Sequence, residues 1–233
     1  MSTEHAAIDG TGFSRRGVFA LAAGATVSVV VAMIPGVPAL ARAVPGPDDV
    51  GLAPSEYPRL FGTAELALGG PLHYLPKAQA LVDALADPAP GGHDLDRWTR
   101  LLGELSGAAP MTQLEEVNRF VNGVRYLSDR RHWGVDDRWA SPTEFFAEDG
   151  DCEDYALVKF VSLHRLGFNV GRLRMVLARD ERKSIDHGFL AVYLGGEALV
   201  LDNQIKTVTP HEAISHYRPL CSFNDQRLWL HRS

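Results

Sequence analysis

The chain has 233 residues, 45% of them hydrophobic and 22% charged, with a net charge of −6 and a sequence pI near 5.8. This composition suits one medium-sized core, and the acidity argues against non-specific nucleic-acid binding, which needs a basic surface. The two cysteines, Cys152 and Cys221, are too few for a disulfide framework; one bridge between them stays open if the compartment is oxidising.

Residues 1–43 read as an export signal. Arg15 and Arg16 are followed by an uncharged run over 17–40, rich in Ala, Gly and Val and broken by Pro35 and Pro38. Small-x-small cleavage candidates then occur at 39–41 and 41–43. The Ser-Arg-Arg start resembles a twin-arginine signal, with Phe19 one place later than that pattern has it. Export to the periplasm with cleavage is the expectation. A retained membrane anchor over 18–34 is the alternative, though that stretch would span only marginally. Residues 44–75, which start rich in Pro and Gly, read as an extended leader, and the folded domain is expected over 76–233.

Apolar residues at helical spacing predict helices over 77–87, 94–107 and 111–129. The second carries Trp98, Leu101, Leu102 and Leu105 on one face. In the third, Thr112 and Glu115 have the spacing of a capping box. Residues 130–150 read as a loop carrying Trp133 and Trp139; Trp139 is placed either on the wall of a groove or in the core. A helix follows from Asp151, with Gly167 as its C-cap. Apolar residues cover most of its circumference, which predicts burial on all sides. Beyond it, 171–180, 187–196 and 197–204 are short, β-branched and aromatic, separated by turn residues. Helices followed by strands indicate an α+β fold, with the buried helix packed on an antiparallel sheet.

Cys152 lies in the first turn of the buried helix, where free backbone N–H groups favour a thiolate. A cysteine nucleophile also needs a base and a group that orients it. His164 is twelve residues along the same helix, about 18 Å away, and is too distant. His187 opens a strand. Gly195-Gly196 has the chemistry of a two-residue hairpin turn, which sets Leu194 opposite Glu197. His187 then falls opposite Gln204, and Asp202 becomes its diagonal neighbour on the same face, about 7–8 Å away and within side-chain reach. A shift of one residue would move Asp202 to the other face. The candidate triad is therefore Cys152, His187 and Asp202.

Asp149, Asp151, Glu153 and Asp154 crowd that cysteine and would each raise the thiol pKa. A bound divalent cation would reverse this local field, and carboxylate oxygens suit Ca²⁺. No Cys/His spacing favours zinc. The alternative is that these acids only complement the helix dipole.

The segments 139–168, 186–193 and 199–208 resemble the bacterial transglutaminase-like cysteine proteinases, including the LapG-like periplasmic proteases. The resemblance spans roughly residues 110–230 and is firmest at Gly-Asp-Cys-Glu-Asp-Tyr-Ala, residues 150–156. It implies a papain/transglutaminase-like fold, with Cys152 as nucleophile, His187 as general base and Asp202 as the orienting carboxylate. It also implies calcium dependence, with Asp151, Glu153 and Asp154 as metal candidates. The implied substrate is a large surface adhesin cleaved during biofilm release, and the implied partner an inner-membrane cyclic-di-GMP receptor. Amide transfer on the same triad and a non-catalytic, calcium-responsive binding module are the competing readings.

Overall fold

The computed structural model describes residues 57–68, 76–86 and 93–232. The export segment read at 1–43 lies outside them, as do 44–56 and 69–75 of the leader. The architecture is α+β, built around one helix. That helix, α6 (Cys152–Arg165), has no solvent-facing stripe: every residue from Cys152 to Leu163 is buried. Packed around it are α1 (Pro76–Ala86), α3 (Pro110–Val121) and α5 (Pro142–Glu148), with a sheet beneath. From α2 (His93–Leu105), Trp98 donates its indole N–H to Ser162 Oγ on α6 at 2.8 Å. Such a partner is what a fully buried indole requires. Leu166 and Gly167 end the helix, and Gly167 has φ 95°, which suits a residue without Cβ.

The sheet is antiparallel. Its strands are β1 (Ala64–Leu68), β2 (Leu173–Asp180), β3 (Ile185–Leu194), β4 (Glu197–Leu201), β5 (Thr209–Pro210), β6 (Tyr217–Phe223) and β7 (Leu228–Arg232), in the order β1-β7-β6-β2-β3-β4-β5. The β3–β4 hairpin has the register read from the sequence, with Leu194 opposite Glu197. Gly195 and Gly196 both have positive φ, as a tight hairpin turn of this hand requires. Period-two alternation divides the strands between two cores. Leu173, Met175, Leu177, Leu190, Val192, Leu199 and Leu201 pack with the helices. Val176, Ala178, Phe189, Ala191, Tyr193 and Val200 face the other way, under Leu60, Ile214 and Tyr217.

Three segments differ from the sequence reading. The third helix starts at Pro110 with Ala109 as N-cap and ends at Val121, so Thr112 sits inside the first turn and caps nothing. Proline is pre-organised for the first helical position and lacks the N–H that would be orphaned there. Past the helix, Tyr126 forms a parallel bridge with Gly150, which draws the chain into an extended path. Residues 130–150 are more than a loop, since α4 (Asp129–His132) and α5 lie there. The capping box belongs to α5: Ser141 Oγ accepts from the Glu144 N–H, and the Glu144 carboxylate accepts from the Ser141 N–H. Finally, the sheet begins at Ala64, ahead of the 76 boundary. Glu65 on β1 pairs at 2.7 Å with Arg174, whose guanidinium lies against the rings of Trp229 and Tyr193. A buried guanidinium needs such a partner, and among the described residues it comes from the chain before 76.

Candidate active site

The α5–α6 connection places Cys152. Asp149 takes a positive φ of 70°, and its carboxylate bonds Arg125. Gly150 follows, where a Cβ would lie 2.6 Å from Asp154 Oδ2 and 2.7 Å from the Phe145 ring. Only glycine fits so close. Asp154 accepts from the Asp151 N–H (3.0 Å) at the head of the helix and from the Ala140 N–H (2.7 Å) ahead of α5, so both carboxylate oxygens serve backbone donors. Cys152 is the first residue of α6 and is buried.

At the other end of the constellation, Asp202 is 0% exposed and accepts three hydrogen bonds. His187 Nε2 lies 2.9 Å from Oδ1, the Gln204 N–H 2.8 Å from Oδ1, and the Tyr217 hydroxyl 2.7 Å from Oδ2. Burial alone would raise this carboxyl. The hydrogen bonds from His187, the Gln204 N–H and the Tyr217 hydroxyl outweigh it and hold Asp202 below its ordinary value. The Asn122 amide donates to the Asp202 carbonyl at 2.7 Å, tying the site to the end of α3. The diagonal His187–Asp202 pair read from the hairpin register is thus in hydrogen-bond contact.

The sulfur meets β3 at the next residue. Gly188 lies against the Cys152–Glu153 backbone, and its N–H offsets part of the rise in the thiol pKa. A Cβ on Gly188 would be 3.3 Å from Glu153 Cα, so the missing side chain lets the first turn of α6 close onto the strand. The thiol donates to Glu153 Oε2 at 2.9 Å. Burial, then the charges of Glu153 and Asp151, raise the thiol well above its usual range. Both cysteines are free, so no bridge joins Cys152 to Cys221.

Around the sulfur lies a cluster of acids. One ligand atom from each residue falls within 4.8 Å of the others in three groups: Asp151, Cys152 and Glu153; Asp129, Asp137 and Glu153; Asp129, Asp151 and Asp154. Burial and the neighbouring carboxylates push Asp151 up to about 11 and Asp129 up to about 6. Asp151 Oδ1 is buried without a hydrogen-bond partner. An orphaned oxygen amid mainly carboxylate donors fits a hard divalent cation; Asp129, Asp151 and Asp154 form one group that could hold it, and Glu153 shares a second group with Asp151 and a third with Asp129. Asp154 belongs to the same cluster, with its oxygens already serving backbone N–H groups.

Asp129, Asp137, Gln204 and Tyr217 were missed in the sequence. Asp129 stands 22 residues before Asp151 and Tyr217 15 residues past Asp202, with no motif to link either pair. Gln204 was legible as the residue opposite His187, but no role followed from that position. Trp139 packs with the core: its ring lies 5.9 Å from Phe223, and Lys77 sits over it.

Comparison with known proteins bears on what such a site does. No curated protein matches the chain. Three solved structures of Legionella pneumophila LapG do. The first is 31% identical, with a TM-score of 0.55, covering 66% of this chain and 87% of that one. A calcium-bound form is 30% identical with a TM-score of 0.56 over the same shares, and an EGTA-treated form is 31% identical with a TM-score of 0.55, over 66% and 84%. The mixed α+β fold is thus transglutaminase-like. Residues 104–231 match the family described as bacterial transglutaminase-like cysteine proteinase, more than half of the sequence. The chain belongs to that family and is a cysteine peptidase.

Proposed function

We propose that this chain is a calcium-dependent cysteine endopeptidase acting through Cys152, His187 and Asp202. The observation that carries the reading is the His187–Asp202 hydrogen bond together with the next residue on β3, Gly188, against which the Cys152–Glu153 backbone closes. Asp202 holds the imidazole with its proton on Nε2, which leaves Nδ1 as the basic nitrogen. The thiol proton passes to Nδ1, and the thiolate attacks the peptide carbonyl. The Cys152 N–H, at the first position of α6, is free of an intrahelical partner and faces the developing oxyanion. His187 then protonates the leaving amine, and water releases the thioester by the same route.

Asp151, Glu153 and Asp129 hold the calcium ion in this reading, and Asp154 positions Asp151 from behind. When bound, the ion supplies positive charge where burial and mutual repulsion otherwise disfavour both carboxylates and thiolate. Glu153 is central because the thiol donates to it. The substrate class proposed is a large surface adhesin met in the periplasm, with an inner-membrane cyclic-di-GMP receptor as regulator.

The test is to incubate the purified chain with co-encoded large adhesins in calcium and in EGTA. Discrete cleavage in calcium, its loss in EGTA and its loss in Cys152→Ala are expected. Cleavage that survives in Cys152→Ala would remove the reading.

A further inference from the structure

His187 has two ring nitrogens, and both have partners. Nε2 faces Asp202 Oδ1 at 2.9 Å, and Nδ1 faces the side-chain amide nitrogen of Gln204 at 3.0 Å. An amide nitrogen can only donate, so Nδ1 accepts and carries no proton. The ring's single proton then sits on Nε2, where ionised Asp202 accepts it. The amide is not free to choose its orientation. Lys183 Nζ, a donor without acceptor capacity, bonds Gln204 Oε1, which turns the oxygen to the lysine and the nitrogen to the ring. The backbone of Gln204 is pinned as well, through its N–H to Asp202 Oδ1 at 2.8 Å. The thiol donates to Glu153 instead of to the ring. The nitrogen that must receive the thiol proton is therefore occupied by an exposed side chain.

We infer that Gln204, aimed by Lys183, is a positioning residue that holds His187 in its neutral, Nε2-protonated form and must leave Nδ1, or turn its amide over, before Nδ1 can take a proton. The inference rests on the reading of His187 as the general base. A protonated Nδ1 facing the amide N–H would set two donors against each other with no acceptor between them, an arrangement that forfeits the bond. Gln204 and Lys183 are both exposed. The contact between them lies at the surface, where such polar contacts are weak and easily exchanged. The other polar groups on this side of the ring are Asp202, the Tyr217 hydroxyl that donates to it, and Lys159, which acts on Asp202 through its charge. None of them changes in the variants below.

The test is ¹⁵N NMR of the imidazole-labelled chain, with calcium held constant, titrated for the wild type, Gln204→Ala, Gln204→Glu and Lys183→Met. The wild-type ring should show a protonated Nε2 and a bare Nδ1 at neutral pH. Removing the amide in Gln204→Ala should raise the midpoint of ring protonation by roughly half to one unit, the scale of one hydrogen bond. Lys183→Met should raise it less, because the freed amide can still turn either way. Gln204→Glu should raise it most, since a carboxylate accepts from a protonated Nδ1. An unchanged or lowered midpoint in both Gln204 variants overturns the inference, as does a wild-type ring protonated on Nδ1. The proteolytic reading fails separately, if His187→Ala still cleaves substrate, and that outcome does not depend on the NMR titration.

Discussion

Asp202 and Asp151 are the same residue type at nearly the same depth, 0% and 8% exposed, yet the protein holds their carboxyls in opposite directions. Asp202 sits below its usual range because an imidazole, an N–H and a phenol hydroxyl all point at it. Asp151 is pushed up to about 11 by burial, Glu153 and Asp154, and one of its oxygens has no partner. Depth does not decide ionisation; the number and sign of the groups facing the carboxylate do. The Asp202 side is complete within the protein's own atoms. The Asp151 side is a set of crowded oxygens in which Asp151 itself has no cation as a hydrogen-bond partner among the described residues.

Breaking the complete side should have the largest effect. Asp202→Asn removes the anion that orients His187 and turns an amide group toward its donors. The cleavage rate should fall by about 10³–10⁴, the scale known for the orienting acid of a nucleophile–histidine pair, with a smaller drop in Tm. Steady-state kinetics beside a thermal melt would check it. Unchanged turnover would exclude Asp202 from the mechanism.

Lys159 sharpens the comparison, because it is a buried amine that feels the Asp202 charge. It is 0% exposed, and its Nζ has no hydrogen-bond partner. Burial pushes the amine down to about 7, and Asp202 offsets only part of that. The unfolded chain therefore holds this proton more tightly than the native one. The resulting cost to stability is full below about pH 7 and fades as pH rises toward the ordinary lysine value near ~10. Lys159→Met should stabilise the protein by about 2 kcal/mol at pH 6 and by little at pH 10. Melts across that range would show it, and an equal effect at both ends would reject this account of the lysine.

The smallest expected effect is on the incomplete side. In EGTA, Asp151→Asn should raise stability by about 1 kcal/mol, since it removes one of several crowded buried carboxyls. The same variant should lose the increase in Tm that calcium gives the wild type. Differential scanning fluorimetry with and without calcium measures both. A full calcium shift in the variant would take Asp151 out of the metal set.

The capping boxes show why some of this was legible and some was not. Thr112 and Glu115 have the right spacing but stand inside a helix that Pro110 already starts, whereas the same spacing at Ser141 and Glu144 does cap a helix. Local pattern proposes a cap; the start of the helix decides which one forms. The hairpin was read correctly because two glycines fix its turn and the turn fixes the register, so the His187–Asp202 diagonal followed. Asp129 was not readable, because what brings it to Asp151 is a parallel bridge between Tyr126 and Gly150, a long-range pairing without a local signature.

By itself the sequence determined the buried helix, the cysteine at its head, the acids around that cysteine and the hairpin that pairs histidine with aspartate. Each is written in spacing along one or two neighbouring elements, where helical and strand periods translate directly into faces. Only the tertiary structure decided that Tyr217 and Asn122 complete the Asp202 site, that Asp129 joins the acids, and that an exposed glutamine, set by a lysine from another turn, occupies the histidine's reactive nitrogen. These contacts join segments far apart in the chain, and their geometry depends on how the sheet and helices pack against one another.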